Sequence, residues 1–200
     1  PDDLLATIQH YLDEADRTLD TVDSAPKAII VPHAGYIYSG LTASAAYHRL
    51  RPAHKRIKRV VILGPCHRVA VKGLALPSTT VFNTPLGDVK LDTASMDLLR
   101  DLPSVQINND THIDDHSIEV HLPFLQKLLN DFCIVPLIIG ETKPSQVAEV
   151  LDLLWGGMET LILISSDLSH YLDYNSAKKL DAQTCKAIEE MNTNKISQDQ

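Results

Sequence analysis

Residues 57–65 read IKRVVILGP, an apolar run rich in β-branched residues that ends at a glycine and a proline. A run this short predicts a strand buried on both faces, as in a parallel sheet, and not a helix. The same pattern recurs at residues 27–32 (KAIIVP), 131–140 (DFCIVPLIIG) and 160–167 (TLILISSD), and more weakly at residues 71–78. These segments predict the strands of a layered fold.

Helical spacing of apolar residues alternates with the strands, at residues 2–15, 40–50, 93–102, 143–157 and 175–191. Residues 81–92 place turn residues between short apolar stretches, which predicts a hairpin or an edge excursion. Pro136 inside a strand favours a bulge or an edge position. Since no repeat or linker divides the chain, we predict a single α/β layered domain over residues 1–200 with a largely parallel sheet.

The chain is acidic, with 26 aspartates and glutamates against 18 lysines and arginines among 200 residues. A net charge of −8 disfavours nucleic acid and anionic membranes as partners. The basic cluster at residues 54–59 (HKRIKR) is interpreted as a solvated connection between a helix and a strand. We therefore expect neither a nucleic-acid partner nor a membrane partner.

No apolar stretch approaches the roughly 18 residues that span a bilayer, and no secretion signal stands at the start of the sequence. Cys66, Cys133 and Cys185 form no CxxC pair, which fits a reducing compartment. We expect a cytoplasmic protein. Cys66 is either a soft metal ligand, a redox-sensitive thiol or inert packing, whereas the other two cysteines are expected to be structural.

Three strand patterns are each followed within a few residues by a histidine: His33, His67 and His170. Because ligands bind beyond the carboxyl ends of parallel strands, we expect the three imidazoles to meet in one crevice. His33 and His67 could bind a divalent metal as neutral imidazoles and leave coordination positions open. The plainer alternative for each histidine is a hydrogen-bonded loop residue.

Asp167 precedes His170 by three residues and could orient it as a general acid or base. The structural alternative is that Ser165, Asp167 or Ser169 caps the following helix.

Residues 110–124 (DTHIDDHSIEVHLPF) contain three histidines and four carboxylates. If this segment is helical, Glu119 lies one turn from His116 and could fix its tautomer, as carboxylates do behind metal ligands. The alternative is a solvated acidic loop with incidental histidines. Glycine-rich phosphate loops and the GxSxG elbow are absent, so nucleotide binding and serine hydrolysis have no support in the sequence.

Five segments follow one another along the chain: PHAGYIYSG, ILGPCHR, NTPLGDVKLD, DDHSIEVHLPFL and SSDLSHY. In this order they resemble the signature segments of the Memo-like proteins, called protein B of the AmmeMemoRadiSam system in bacteria and archaea. The resemblance implies a fold similar to class III extradiol dioxygenases of the protocatechuate type, a three-layer α/β/α domain around a central, mostly parallel or mixed sheet. There, two histidines and a glutamate hold ferrous iron, and another histidine is the acid/base. By motif, His33 and His67 match the two histidine ligands and His170 matches the acid/base.

The resemblance also implies iron or copper as the cofactor. In the family the third ligand resembles a cysteine of a C-terminal segment, and that segment has no counterpart here. The family's N-terminal segment, which should precede Pro1, is missing too. The chain is therefore expected to be truncated at both ends relative to the family. The implied partners are a small-molecule substrate or a peptide, and the AMMECR-like and radical SAM proteins of the same system.

Two functions are therefore expected. One is a non-haem, metal-dependent oxidoreductase with a dioxygenase-like crevice that acts on a small molecule, using His170, Asp167, His116 and Glu119 beside the metal. The other is an adaptor without catalysis, which uses a vestigial active-site pocket to bind peptides or partner proteins.

Overall fold

The apolar run at residues 57–65 forms a strand near the middle of an eight-stranded sheet. The computed structural model describes residues 1–113 and 115–196. Its strands are β1 (Ala28–Val31), β2 (Arg59–Pro65), β3 (Leu74–Leu76), β4 (Val81–Thr84), β5 (Gly87–Leu91), β6 (Val105–Ile107), β7 (Cys133–Ile139) and β8 (Thr160–Ser165). Its helices are α1 (Asp2–Thr18), α2 (Tyr36–His48), α3 (Thr93–Leu99), α4 (His116–Glu119), α5 (Leu122–Leu128), α6 (Pro144–Leu154) and α7 (Tyr174–Glu189).

The order of strands brings three carboxyl ends together. Strands follow one another as β1-β8-β2-β7-β3-β6, while β5 pairs with β7 and with β4. The pairs β1–β8, β8–β2 and β2–β7 are parallel, whereas β3 is antiparallel to β7. Because β1, β8 and β2 are neighbours and parallel, the residues that follow them lie side by side at one edge of the sheet.

The chain divides into two compact units, Pro1–Ser166 and Asp167–Gln200. The first contains the whole sheet, with α1, α2 and α5 packed together and α3 packed on α6. This sheet flanked by helices confirms the predicted α/β/α class. The second unit contains α7, which helical spacing predicted at residues 175–191. No helix within the described parts of the chain is long and apolar enough to cross a membrane.

The core lies along β2, β7 and β8. The five inner residues of β2 and of β7 are buried, as expected for strands covered on both faces. Residues 81–92 form the predicted hairpin, in which β4 and β5 pair around a tight turn. Gly87 there has a φ of +114°, a conformation that favours glycine.

Pro136 marks neither an edge strand nor a bulge in the pairing with β2, so that prediction was wrong: β7 is interior and pairs with β2 in unbroken register along its whole length. The missing N–H is tolerated for a local reason. Residues of a parallel strand direct their hydrogen bonds to alternate sides, and Ile134 accepts from Asp92 on the side away from β2. Pro136 faces that same side, between the end of the β5 pairing at Ile134 and the start of the β3 pairing at Ile138.

Gly64 allows helix α4 to lie directly against β2. A Cβ atom at Gly64 would lie 2.8 Å from Ser117 Oγ and 3.2 Å from Ile118 Cγ1. The hydroxyl of Ser117 donates to the carbonyl of Pro65 at 2.8 Å, which fixes α4 at the end of the strand. A side chain at position 64 would force the helix away from this place.

We predict that Gly64→Ala lowers the free energy of unfolding by about 1–3 kcal/mol, the usual cost of overpacking. The cost should be smaller in a Ser117→Ala background, because the nearest clashing atom is then absent. Urea unfolding of the four proteins of this double-mutant cycle measures the coupling. An equal cost in both backgrounds would contradict this account of Gly64.

Candidate functional site

His33 lies two residues beyond β1 and is only 3% exposed. Its Nδ1 is 2.7 Å from the hydroxyl of Ser165, the last residue of β8. That hydroxyl donates its single proton to the carbonyl of Ser117 at 2.5 Å, so it must accept from Nδ1–H of His33. The proton on Nδ1 places the lone pair of the neutral ring on Nε2.

His67 lies two residues beyond β2 and is held by Asp115. Its backbone N–H donates to Asp115 Oδ2 at 2.8 Å, and its ring Nδ1 is 3.3 Å from both carboxylate oxygens. Asp115 also caps α4, since its Oδ1 accepts from the N–H of Ser117 at 2.9 Å. One carboxylate therefore joins the end of β2 to the start of α4.

The carboxyl group of Asp115 is ionised at neutral pH. Burial alone would raise its pKa, since the side chain is 1% exposed. The donors of His67 and Ser117 outweigh burial and lower the pKa from its ordinary 3.8 to about 2. A negative charge beside Nδ1 of His67 favours the proton on that nitrogen, which again leaves the lone pair on Nε2.

His116, the first residue of α4, completes a cluster of three imidazoles. Ring centroids are 5.2 Å apart for His33 and His67, and 5.8 Å apart for His33 and His116. The rings of His67 and His116 stack at 4.9 Å with an angle of 15° between their planes. We call these three side chains the imidazole cluster.

Two members of the imidazole cluster, His67 and His116, form with Asp115 a group that could hold a metal ion after a small movement. Ligand atoms of His67, Asp115 and His116 all lie within 4.8 Å of one another. Two imidazole nitrogens that share one ion at about 2.1 Å each are at most about 4 Å apart, so a small rotation would close the group. His67 and His116 are exposed and therefore able to make that rotation.

Glu119 does not contact His116 by any described hydrogen bond or ion pair. It ends the single turn of α4 and is exposed. Asp115, which sequence reasoning missed, is the carboxylate that touches an imidazole of the cluster, and that imidazole belongs to His67. The available signal was its place directly before the helix, which is typical of an N-cap aspartate.

The remaining two histidines of residues 110–124 lie apart from the imidazole cluster. His121 is 1% exposed in the core, where its Nδ1 is 2.8 Å from the hydroxyl of Tyr47. His112 is mostly buried and packs edge-on against Phe82, with ring centroids 5.8 Å apart. Burial lowers the pKa of His112 to about 4, against the weaker opposing effects of the Ala75 backbone and Asp115.

Asp167 and His170 belong to the second unit, where they contact each other. Asp167 Oδ2 is 3.6 Å from Nε2 of His170, which is longer than a hydrogen bond. The capping alternative was wrong, because α7 is capped by Asp173, whose side chain accepts from the N–H groups of Asn175 and Ser176.

All three cysteines have free thiols. Cys133 lies in β7 and Cys185 in α7, as the sequence predicts. Cys66 is half-buried next to His67, but it is not among the ligand atoms that come together in the described residues.

Comparisons with known proteins agree on one family. A family model described as Memo-like protein matches residues 1–199. A MEMO1 family protein of Aquifex aeolicus is 37% identical over 176 residues, which cover 86% of this chain and 64% of that protein. A second, from Archaeoglobus fulgidus, is 34% identical over 205 residues, 98% of this chain and 72% of that protein.

Protein MEMO1 of Xenopus tropicalis is similar as well, with 35% identity over 176 residues, which cover 84% of this chain and 57% of that protein. The chain thus spans between 57% and 72% of the length of these three relatives.

We predict that Asp115→Ala lowers the free energy of unfolding by about 2 kcal/mol or more, because hydrogen bonds to a charged acceptor contribute about 1.5–3 kcal/mol. Asp110→Ala is the matched control, since Asp110 is exposed in the same segment. Its cost should stay within about 0.5 kcal/mol. Urea unfolding measures both, and an equally small loss for the two variants would contradict the proposed role of Asp115.

The neutral state of His112 predicts a pH dependence of stability. Since its pKa falls from 6.5 to about 4 on folding, only the unfolded chain takes up a proton between these values, and stability falls as pH is lowered through that window. His112→Gln should remove this part of the pH dependence, whereas His10→Gln, at an exposed site, should keep it. Urea midpoints from pH 7 to 4 test this. Equal slopes for wild type and His112→Gln would contradict it.

Proposed function

The chain belongs to the Memo-like protein family, and we propose that it binds a redox-active transition metal, iron or copper, through the imidazoles of His33, His67 and His116. The observation that carries this proposal is the convergence of three imidazoles at the carboxyl edge of one sheet, with ring centroids no more than 5.8 Å apart. Imidazole is a preferred ligand of iron and copper in proteins.

The partners behind the rings support the proposal. Histidines that bind metals usually donate their other ring N–H to a carboxylate, a backbone carbonyl or water, which fixes the tautomer. His67 has this arrangement through Asp115, and the hydroxyl of Ser165 takes the equivalent place behind His33. Both rings are therefore held with the lone pair of the neutral form on Nε2.

A bound redox metal would supply a Lewis acid and one-electron chemistry at this edge of the sheet. The chain would supply positioning: Ser165 and Asp115 hold two rings, and the cap of α4 holds His116 beside them. The resemblance to extradiol dioxygenases assigns proton transfer to His170, with Asp167 as its orienting carboxylate. On this proposal the protein is an oxidoreductase acting on a small molecule.

A second candidate is the adaptor function, which a different observation favours. Helix α2 begins just after His33 and exposes three apolar side chains, Ile37 (81%), Tyr38 (80%) and Leu41 (54%). Adjacent exposed apolar residues are typical of surfaces that bind peptides or proteins. On this alternative the imidazole cluster would be a remnant of a metal site.

Anaerobic titration with ferrous iron, and a parallel titration with copper, test the metal proposal. Wild type should bind one equivalent, while His33→Ala and His67→Ala, which each remove a ligand, should bind at least about 100-fold more weakly. Ser165→Ala should weaken binding by a factor of about 10 to 100, because it keeps all three imidazoles and removes the hydroxyl that links His33 to Ser117. His10→Ala is the control for loss of an exposed histidine and should bind like wild type. Equally poor binding by wild type and His33→Ala would overturn the proposal.

A further inference from the structure

A cavity of about 210 Å³ lies between the hairpin, β7 and the α4–α5 segment. It is distinct from the imidazole cluster, since none of the three clustered histidines lines it. The lining residues are Val81, Phe82, Asn83, His112, Asp115, Ile118, Glu119, Leu122 and Ile138.

The apolar side chains of the lining and the volume of the cavity indicate what size of apolar group a ligand could have. Phe82, Ile118, Leu122 and Ile138 supply aromatic and aliphatic surface from four different elements. The volume equals that of about seven water molecules at about 30 Å³ each, and it lies below the range of about 300–1,000 Å³ for drug-sized ligands. The cavity therefore suits a molecule of about one ring.

The polar part of the lining is rich in hydrogen-bond acceptors and includes two acidic side chains. Two carboxyl groups line the cavity, the exposed one of Glu119 and the buried one of Asp115. Asn83 directs its Nδ2 at Asp88 at 2.7 Å, which leaves its Oδ1 as an acceptor. Lysine and arginine do not occur among the lining residues that the structure describes. An anionic ligand would meet like charge here, whereas an ammonium or a hydroxyl would find acceptors.

His112 adds a buried acceptor. Its Nε2 is buried and has no hydrogen-bond partner among the described residues. The ring is neutral at pH 7 and its other nitrogen donates to the backbone of Ala75, so the lone pair is on Nε2 and can accept a hydrogen bond. A buried acceptor without a partner is costly, and a ligand that donates to it would relieve that cost.

We propose that this cavity binds a small organic molecule with an apolar body of about one ring and a hydrogen-bond-donating head, either an ammonium or a hydroxyl. Asp115 belongs both to the cavity and to the support of His67, so a ligand here lies next to the imidazole cluster. The further assignment of this ligand as the molecule on which the metal centre acts rests on the proposed function. Binding itself does not.

The test is a titration of the metal-free, ¹⁵N-labelled chain with three matched probes, benzylammonium, phenol and benzoate, followed by amide chemical shifts. Benzylammonium and phenol should move the amides of Phe82, His112 and Ile118 in a saturable way, and benzoate should not. The proposal is overturned if the three probes bind alike, if none binds, or if the shifts map to another surface.

Two variants separate the contributions of charge and of the buried acceptor. Glu119→Gln should weaken benzylammonium by up to about fivefold, the size of a solvent-exposed ion pair, and leave phenol nearly unchanged. His112→Phe should weaken phenol by about tenfold, the size of one hydrogen bond to a buried acceptor. Glu149→Gln, an exposed position on α6, is the charge control and should match wild type. Unchanged binding in both site variants would overturn the proposed recognition.

The same titration on His33→Ala distinguishes the two proposals. His33 does not line the cavity, so this variant should bind the probes as wild type does. In the wild-type chain, probe binding without metal binding would remove the metal proposal alone. Metal binding without probe binding would remove the cavity proposal alone.

Discussion

The buried carboxylate of Asp115 is the constraint on which the imidazole cluster depends. It accepts hydrogen bonds from the backbone N–H groups of His67 and Ser117, and it contacts the ring of His67. A buried charge of this kind destabilises a fold unless such donors satisfy it. The loop after β2 and the first turn of α4 must therefore stay together, and this places His116 in stacking contact with His67. Stability and the geometry of the candidate metal centre thus have the same origin.

The sheet provides the other half of the arrangement. Strand β8 lies between β1 and β2, so its last residue, Ser165, reaches both His33 and the carbonyl of Ser117. Gly64 lets α4 approach β2 closely enough for these contacts, since a methyl group there would overlap Ser117. The hydrogen bonds lead from His33 after β1, through the hydroxyl of Ser165 at the end of β8, to the carbonyl of Ser117 in α4. Three different elements therefore have to be in place for the two bonds to form. Pre-organisation of this kind is what a metal site needs from a scaffold.

Much of the fold was predictable because its signals are local. The apolar runs of β1, β2, β7 and β8 and the turn chemistry of the hairpin lie in contiguous residues, and His33 and His67 follow directly from the rule that parallel strands open at one edge. Strand β6 was missed because it is three residues long and largely exposed, which leaves no apolar pattern. The prediction for Pro136 was wrong because Pro136 faces a gap in the pairing of β7, between its partners β5 and β3. That gap depends on the order of strands in the sheet, which the local sequence does not show. Asp115 was passed over for Glu119, since helical spacing indicates which residues share a face but not which backbone donors a loop brings to a carboxylate.

The central claim is that Ser165 and Asp115 hold His33 and His67 with a proton on Nδ1 and present Nε2 to a metal. Long-range ¹H–¹⁵N correlation spectra of the histidine rings, recorded with and without one equivalent of copper(I) or zinc(II) as a diamagnetic probe, measure this directly. The account predicts a protonated Nδ1 in both rings in both states, and Nε2 signals that change when the metal binds. A bare Nδ1 in His33, or ring signals of His33 and His67 that the metal leaves unchanged, would contradict it.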